Sequence, residues 1–200
     1  MCVGGVHSTK IILGWILNFP KLQPRSTVFR RVFVLSTPQL IVFDLDFTLW
    51  DCGGTWCDCL SPPFEHRRGE VLDRTGRHVQ LYEEVAGIFD YCDDHKISMA
   101  LASRTEQPGW ARQLLKLLAI DHRFAFAEIY PSSKLRHFKS LAKQSGVSHD
   151  AMLFFDDEMR NIYEVSRLGV ESIHVEAGMN RELFEEGLLR FRNSWSGADR

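Results

Sequence analysis

The chain has 200 residues, of which 44% are hydrophobic and 25% are charged, and this excludes disorder, collagen and coiled coil as descriptions of the whole protein. The net charge is −2, but residues 1–43 contain five Lys or Arg and no Asp or Glu. Subtracting that +5 leaves −7 for residues 44–200, so we expect no nucleic-acid partner for this part of the chain.

Residues 1–38 are predicted to lie outside the fold. We interpret the segment as a disordered extension or the product of an upstream start codon. It lacks acidic residues and contains Arg, Ser and Thr, so an organellar transit peptide is the alternative. Its apolar run at 11–17 is shorter than the roughly 18 residues that a membrane span needs. We therefore expect a cytoplasmic monomer without a membrane anchor, with organellar import as the alternative.

From residue 40 onward, short apolar runs alternate with amphipathic segments. Helical spacing of apolar residues is seen at 85–92 and 110–118, and two further helices are predicted at 134–144 and from Asn180, as N-cap, to about 191. The predicted strands are Leu40–Phe43, Ile97–Ala102, Phe124–Ile129, Met152–Phe155 and Ser172–Val175. This alternation predicts an α/β fold, a Rossmann-like three-layer sandwich with a mainly parallel central sheet spanning residues 39–195.

Residues 50–82 interrupt the alternation after the first strand. They are rich in Gly, Pro, Cys and charge, and residues 71–79 resemble a short hairpin around a turn. Cys52, Cys57 and Cys59, with His66 nearby, suggest a zinc site, but the C-x-C spacing is too short, and we prefer a thiol-rich loop. The odd number of five cysteines, without a secretory signal, favours reduced thiols in the cytosol.

Polar residues, several of them acidic, directly follow the buried predicted strands. Burial of an unpaired carboxylate costs free energy or raises its pKa, so these acids need a partner. Each one alone is explained as a helix cap or a solvated side chain. In a parallel sheet, however, the carboxyl ends of the strands face one crevice, which predicts an active site there. The residues at these strand ends, or opening the helix after the third strand, are Asp44, Asp46, Ser103, Arg104, Thr105, Lys134, Asp156 and Asp157.

Several carboxylates in one crevice repel each other unless a divalent cation lies among them, and an oxygen-only set favours Mg²⁺ over zinc. With the cation bound, Asp44 can stay ionised and approach a phosphoryl group, while Ser103 and Lys134 bind phosphate oxygens. Asp44 and Asp46 are one residue apart. Two carboxylates in different environments can act as nucleophile and as acid/base.

The sequence resembles the haloacid dehalogenase-like phosphatases. Residues 44–48, DLDFT, match their DxDxT signature, and Ser103, Lys134 and the pair at 156–157 match the second, third and fourth motifs in order. More narrowly, residues 40–191 resemble the magnesium-dependent phosphatase-1 family. The segments that carry this likeness are FDLDFTLW (43–50), PPF (62–64), QLY (80–82), ASRT (102–105), EIYPSSK (128–134), FFDDE (154–158) with Arg160 and Asn161, and RLGV (167–170).

The resemblance implies a role for each acid. Asp44 would be the nucleophile that forms an aspartyl phosphate, and Asp46 would protonate the leaving group and then deprotonate the attacking water. Mg²⁺ would bind Asp44, the backbone carbonyl of Asp46 and the second acid of the later pair, Asp157. The sequence alone leaves open whether Asp156 or Asp157 is that ligand.

The resemblance also implies phosphate ligands and substrates. The phosphate would contact the backbone at Leu45 and the residues Ser103, Arg104 and Lys134. The insertion is too short for a separate helical cap domain, so we expect a minimal cap and an open site. The implied substrates are sugar phosphates or phosphotyrosine-type esters, either as small molecules or as groups on proteins.

Two alternatives to a phosphatase use the same residues. A receiver-like or pseudo-enzyme module would accept a phosphoryl group in order to switch a partner, and a phosphomutase would need a larger cap to retain its intermediate. Asp46 discriminates between enzyme and switch, because fast dephosphorylation needs a base beside the acyl phosphate. We therefore predict a magnesium-dependent phosphomonoester phosphatase.

Overall fold

The computed structural model describes residues 37–196, so the predictions for residues 1–36 lie outside the described residues. The strands in chain order are β1 (Leu40–Phe43), β2 (Trp50–Asp51), β3 (Glu65–Arg67), β4 (Glu70–Leu72), β5 (His78–Leu81), β6 (Ser98–Ser103), β7 (Phe126–Ile129), β8 (Met152–Asp156) and β9 (Glu171–His174). The α-helices are α1 (Val85–Asp94), α2 (Pro108–Leu117), α3 (Lys134–Ser145), α4 (Met159–Ser166) and α5 (Arg181–Ser196).

The central sheet has the strand order β7-β6-β1-β8-β9, and all of its neighbours pair in parallel. Because β1 is in the middle, its side chains are buried on both faces: Ile41 and Phe43 join one apolar cluster, and Leu40 and Val42 join the other. Helices α1, α2 and α5 cover the first face, and α3 and α4 cover the second. The predicted three-layer α/β architecture is confirmed.

Some predicted element bounds differ from the observed ones, because an apolar residue can be buried without taking part in the hydrogen bonds of a strand. The apolar pattern predicts that a strand begins at Phe124, but β7 starts only at Phe126. The Phe124 ring instead packs on the Phe89 ring, with centroids 5.4 Å apart. The last helix was predicted to end near Phe191. It continues to Ser196, because Trp195 packs on Phe191 and donates a hydrogen bond to the Asp150 carbonyl oxygen (3.1 Å).

Residues 50–81 form a second sheet, antiparallel, with the order β2-β5-β4-β3. The predicted hairpin is present, with Val71 paired to Val79. Its turn is organised by Asp73, whose Oδ1 accepts hydrogen bonds from the backbone N–H groups of Thr75 (2.8 Å) and Arg77 (2.9 Å). Within the described residues, no helix combines the length and the apolar character that crossing a membrane requires.

Candidate active site

The turn after β1 aims two carboxylates at the sheet edge. The backbone N–H of Asp44 still donates to the Phe155 carbonyl oxygen of β8 (3.0 Å), so this residue is fixed to the sheet. The Leu45 carbonyl oxygen then accepts three N–H groups within the turn, and Phe47 adopts a left-handed φ of 55°. The Leu45 side chain is fully buried, which leaves only its backbone for the predicted phosphate contact.

A pocket of about 440 Å³ opens where the strand ends meet. Its wall contains every predicted strand-end side chain except that of Asp156, which is fully buried and does not line the pocket. Residues that the sequence did not assign complete the wall, among them Trp56 and Asp58 of the insertion. The lining residues are Asp44, Asp46, Trp56, Asp58, Ser103, Arg104, Thr105, Glu106, Lys134, Asp157, Glu158, Arg160 and Asn161.

Lys134, the first residue of α3, is the cation at the centre of the site. Its side chain is 0% exposed, and its Nζ lies 2.6 Å from Asp44 Oδ1 and 2.8 Å from Asp156 Oδ2. The Nζ also donates to the Ala102 carbonyl oxygen of β6. Burial alone would lower the pKa of Lys134, but Asp44 and Asp156 raise it, so the ammonium stays charged.

The carboxylates outnumber this one ammonium. Asp44, Asp156 and Asp157 with Lys134 sum to a net −2, so a divalent cation fits the charge of the set. Burial raises the pKa of Asp44 well above its ordinary value, with Lys134 opposing and Asp156 adding to the rise. Burial, followed by Asp156 and Glu158, raises the pKa of Asp157 to about 7. Both shifts come first from burial and then from neighbouring carboxylates, and a bound Mg²⁺ would oppose them.

Asp156 and Asp157 occupy different environments. Asp156 is fully buried, and its Oδ1 accepts the N–H of Glu158 and the Asn161 side-chain amide, both at 2.8 Å, while its Oδ2 faces Lys134. Asp157 lines the pocket, and within residues 37–196 its carboxylate has no Lys or Arg nitrogen within 4 Å. Asp157 therefore presents to the pocket a carboxylate without a cationic partner in the described residues, whereas Asp156 is paired with Lys134.

The described residues contain no group of three His, Cys, Asp or Glu side chains arranged as a complete metal site. The magnesium set that the resemblance implies has two carboxylates, Asp44 and Asp157, and one main-chain oxygen, that of Asp46, so it would not form such a group. The donors are all oxygen atoms, and the remaining positions would be filled by water or substrate, as is usual for Mg²⁺. The residues present therefore fit this cation.

Asp46 is held by the insertion. Its Oδ1 accepts hydrogen bonds from Trp50 Nε1 (2.7 Å) and from the backbone N–H of Cys57 (3.0 Å), and the Cys52 thiol lies 3.5 Å away. Burial raises the pKa of Asp46, and these donors partly offset the rise. Since both nitrogens donate to Oδ1, the second oxygen, Oδ2, is the one that can carry a proton.

The thiol-rich loop thus packs around an acid. Cys52 and Cys57 are buried, whereas Cys59 is exposed. Burial, together with the nearby Asp46 carboxylate, raises the pKa of both buried thiols far above the ordinary value. In the absence of a metal ion they therefore remain neutral thiols. His66, the fourth residue of the zinc alternative, lies on β3 with an exposed side chain.

The loop after β6 presents the predicted phosphate ligands. Ser103 is nearly fully buried, and its Oγ accepts the Thr105 N–H at 3.4 Å. The Arg104 guanidinium donates to Asn161 Oδ1 (3.1 Å), and the same Asn161 donates to Asp156. Asn161 therefore connects two of the strand ends. Its carboxamide serves both as acceptor and as donor, which is a role that sequence spacing alone did not reveal.

Comparisons with known proteins agree with this geometry. A family model described as Acid Phosphatase matches residues 36–194. The human protein Magnesium-dependent phosphatase 1 is 43% identical over 162 residues, which cover 80% of this chain and 90% of the human protein. A HAD-like hydrolase superfamily protein of Schizosaccharomyces pombe is 36% identical over 149 residues, covering 68% of this chain and 84% of that protein.

A solved structure shares the fold. It is the N-terminal part of a Bacteroides fragilis protein, which contains a phosphatase domain and was crystallised in complex with Mg. The TM-score is 0.54 at 14% sequence identity, and the match covers 82% of this chain and 42% of that chain. The family match, the two relatives and the strand-end carboxylates point the same way: the chain belongs to the magnesium-dependent phosphatases of the haloacid dehalogenase-like superfamily.

Proposed function

We propose that this phosphatase hydrolyses phosphomonoesters through an aspartyl phosphate formed on Asp44, with Asp46 as acid and base. The observation that carries the proposal is the asymmetric anchoring of Asp46. Its Oδ1 accepts two N–H groups, so its proton is on Oδ2, in a pocket that it shares with Asp44. The nucleophile and the acid are thus separate groups with different environments, as a two-step displacement requires.

Asp44, the main-chain oxygen of Asp46 and Asp157 would hold the magnesium ion. When bound, this cation neutralises the phosphate oxygens as negative charge shifts onto them. The Ser103 hydroxyl and the Lys134 ammonium border the same pocket, and we assign them to the phosphate together with Arg104. Asp156 is assigned a positioning role, because both of its oxygens are already occupied by Lys134, Asn161 and the Glu158 N–H.

The chemistry then divides into two displacements. A carboxylate oxygen of Asp44 attacks phosphorus, the ester P–O bond breaks, and the proton on Asp46 Oδ2 moves to the leaving oxygen. The resulting Asp46 carboxylate removes a proton from water, which attacks phosphorus and breaks the bond to Asp44. Inorganic phosphate leaves, and Asp46 is protonated again. A residue that lacked this second role would leave the phosphoryl group on Asp44, which is the behaviour of a switch.

The proposed substrates are sugar phosphates and phosphotyrosine-type esters, free or attached to protein. Residues 50–82, which we propose to act as a minimal cap, contribute Trp56 and Asp58 to the pocket wall and are too short to form a separate cap domain. A rim of this kind admits bulky leaving groups.

We further propose that residues 39–195 are the phosphatase domain, with 1–38 outside it. The free thiols of the described residues support a reducing compartment, in line with the predicted cytoplasmic location. That the protein is a monomer without a nucleic-acid partner stays a prediction.

Trapping of the intermediate tests the mechanism. In Asp46→Asn the leaving group loses its acid and water loses its base, so turnover of a sugar phosphate should fall about 100- to 10,000-fold. With p-nitrophenyl phosphate, whose leaving group needs little protonation, a burst of one p-nitrophenol per protein should appear. Mass spectrometry should locate the added phosphate on Asp44. Asp44→Asn is the matched control and should show neither turnover nor burst.

The same experiment can reject the proposal. If Asp46→Asn lost activity equally and only slightly on both substrates, and no phosphate was trapped, Asp46 would not be the acid. If Asp44→Asn hydrolysed substrate at the rate of the wild-type protein, the nucleophile would be another residue.

A further inference from the structure

We propose that Trp56 is a specificity-determining residue that selects phosphate esters whose leaving group presents a ring face. The inference rests on the proposed function, since it concerns the leaving group of that reaction. It starts from the composition of the pocket wall. Within the described residues, every other side chain that lines the pocket is charged or polar, and Trp56 alone offers an extended apolar surface.

Trp56 is unusually exposed for its type. Its side chain is 55% exposed, although Trp is among the residues that gain most from burial. A single exposed apolar residue is ordinary on a surface, but this one lies in the wall of a polar pocket. Its exposed ring is therefore available to a bound substrate. A substrate ring that packs on the indole removes part of its apolar surface from water, which favours binding.

The indole is also held in place. Its ring packs against the Phe47 ring in a T-shaped arrangement, with centroids 5.9 Å apart and an angle of 86° between the planes. The next residue, Cys57, donates its backbone N–H to Asp46 Oδ1 (3.0 Å). The residue after that, Asp58, accepts hydrogen bonds from the Thr105 hydroxyl and from the Glu106 N–H. Trp56 thus precedes two consecutive anchors.

These anchors fix Trp56 relative to the reacting atoms. Cys57 joins it to the acid that protonates the leaving oxygen, and Asp58 joins it to the loop that carries Ser103 and Arg104. Asp46 and Trp56 line the same pocket, so a leaving group whose oxygen faces Asp46 lies in the pocket that the indole borders. A preorganised ring costs little entropy when it is contacted, so the contact adds to affinity for ring-shaped groups.

Two kinds of leaving group share this chemistry. An aromatic ring would stack on the indole, and the apolar C–H face of a sugar ring would pack on it in the same way. An acyclic alkyl group has no such face. The discriminating comparison is therefore between phosphotyrosine, glucose 6-phosphate and glycerol 3-phosphate, of which the last two have similar alkoxide leaving groups.

The test compares Trp56→Ala, Trp56→Phe and the wild-type protein in magnesium buffer. We expect Trp56→Ala to lower kcat/KM about 3- to 10-fold on at least one ring substrate, through KM, and to leave glycerol 3-phosphate within about 2-fold. Trp56→Phe should recover part of the loss. Tyr163→Ala, which removes an aromatic side chain that is 64% exposed outside the pocket wall, is the matched control and should change nothing.

The comparison of the three substrates shows which kind of ring Trp56 recognises. A loss confined to phosphotyrosine assigns Trp56 to aromatic esters, and a loss confined to glucose 6-phosphate assigns it to sugars. An equal loss on all three substrates, or no loss on either ring substrate, overturns the proposal while the phosphatase itself stands. The inhibition constant of inorganic phosphate should not change, because the phosphate ligands are untouched. A wild-type protein inactive on all three would contradict the proposed function as well.

Discussion

The two walls of the pocket are built differently. On the sheet side, the charges of Lys134 and Asp156 are completely buried and are held by ion pairs at strand ends. On the insertion side, Trp56 and Asp58 sit on a short segment, and Asp46 is tuned by neutral donors from it. The comparison teaches that the buried charges of the site are held by ion pairs at strand ends, whereas the insertion supplies neutral hydrogen-bond donors to Asp46 and part of the pocket wall.

Removal of the central ammonium should produce the largest effect on stability. Lys134→Met keeps the length of the side chain but leaves Asp44 and Asp156 buried without a counter-charge, and such a change typically costs about 3–5 kcal/mol. Urea unfolding in EDTA measures it. The loss should be smaller with Mg²⁺, which supplies the missing positive charge. Lys139→Met, an exposed lysine on the same helix, is the control. A loss in EDTA no larger than the control's would contradict this account of the sheet side.

The second prediction concerns His137, three residues after Lys134 on α3. Its Nε2 donates to the Tyr130 carbonyl oxygen (3.1 Å), and its buried Nδ1 has no hydrogen-bond partner among the described residues. A proton on Nδ1 would therefore have no acceptor, which favours the neutral ring. Burial, and then the charge of Lys134, lowers the pKa of His137 from 6.5 to about 4. The unfolded chain therefore takes up this proton first as the pH falls.

The sign of the effect follows. The contribution of His137 is fully present above pH 6.5 and is lost as the pH falls towards about 4, which amounts to about 2 kcal/mol between pH 7 and pH 4.5. Asp157, with its raised pKa, acts in the opposite direction. The measurement is therefore a difference between the wild-type protein and His137→Gln, which keeps a donor and does not titrate. A pH-independent difference would contradict the assignment of a neutral buried ring.

Sequence reasoning was most successful on the sheet side. The strand β1 was predicted with its observed bounds, because four buried residues between sheet neighbours give an unbroken apolar run. The acids that follow it were recognisable by spacing, as were Ser103 and Lys134. The whole helix α4 was not predicted, although its residue Asn161 connects Arg104 to Asp156.

The structure of the insertion, residues 50–82, could be predicted only in part from the spacing of apolar and polar residues. Its hairpin was predicted from turn residues, but β2 and β3 are too short to produce an alternation that can be recognised. Trp56 and Asp58 act through contacts with residues 47 and 105, and such contacts depend on the path of the loop in space. No local pattern records them. The sequence predicted a thiol-rich loop, with zinc as the disfavoured alternative, but it could not show that the Cys52 thiol contacts Asp46, because that contact is tertiary.

The third prediction separates the stability of the insertion from the chemistry of the pocket. Burial would raise the pKa of Asp73, but hydrogen bonds from Thr75, Arg77 and Ser61 lower it to about 2. Asp73→Ala leaves these donors without an acceptor and should cost about 2 kcal/mol in urea unfolding. Asp73 does not line the pocket, so kcat should stay within about 2-fold. Asp73→Asn, which retains one carbonyl oxygen, should lose less. A large loss of kcat would show that the hairpin is part of the catalytic wall.

The last and smallest effect is expected from deletion of residues 1–36. The backbone N–H of Gln39 already donates to the Ala151 carbonyl oxygen (2.9 Å), so the chain is joined to the sheet before β1 begins. The family match also starts at residue 36. A chain that begins with Met followed by residue 37 should therefore unfold in one cooperative step, with an unchanged Tm and with kcat/KM within about 2-fold. Thermal unfolding followed by circular dichroism measures this directly. A lost or broadened transition would mean that residues 1–36 are needed for the stability of the core. The sheet side of the pocket would then depend on residues outside 37–196.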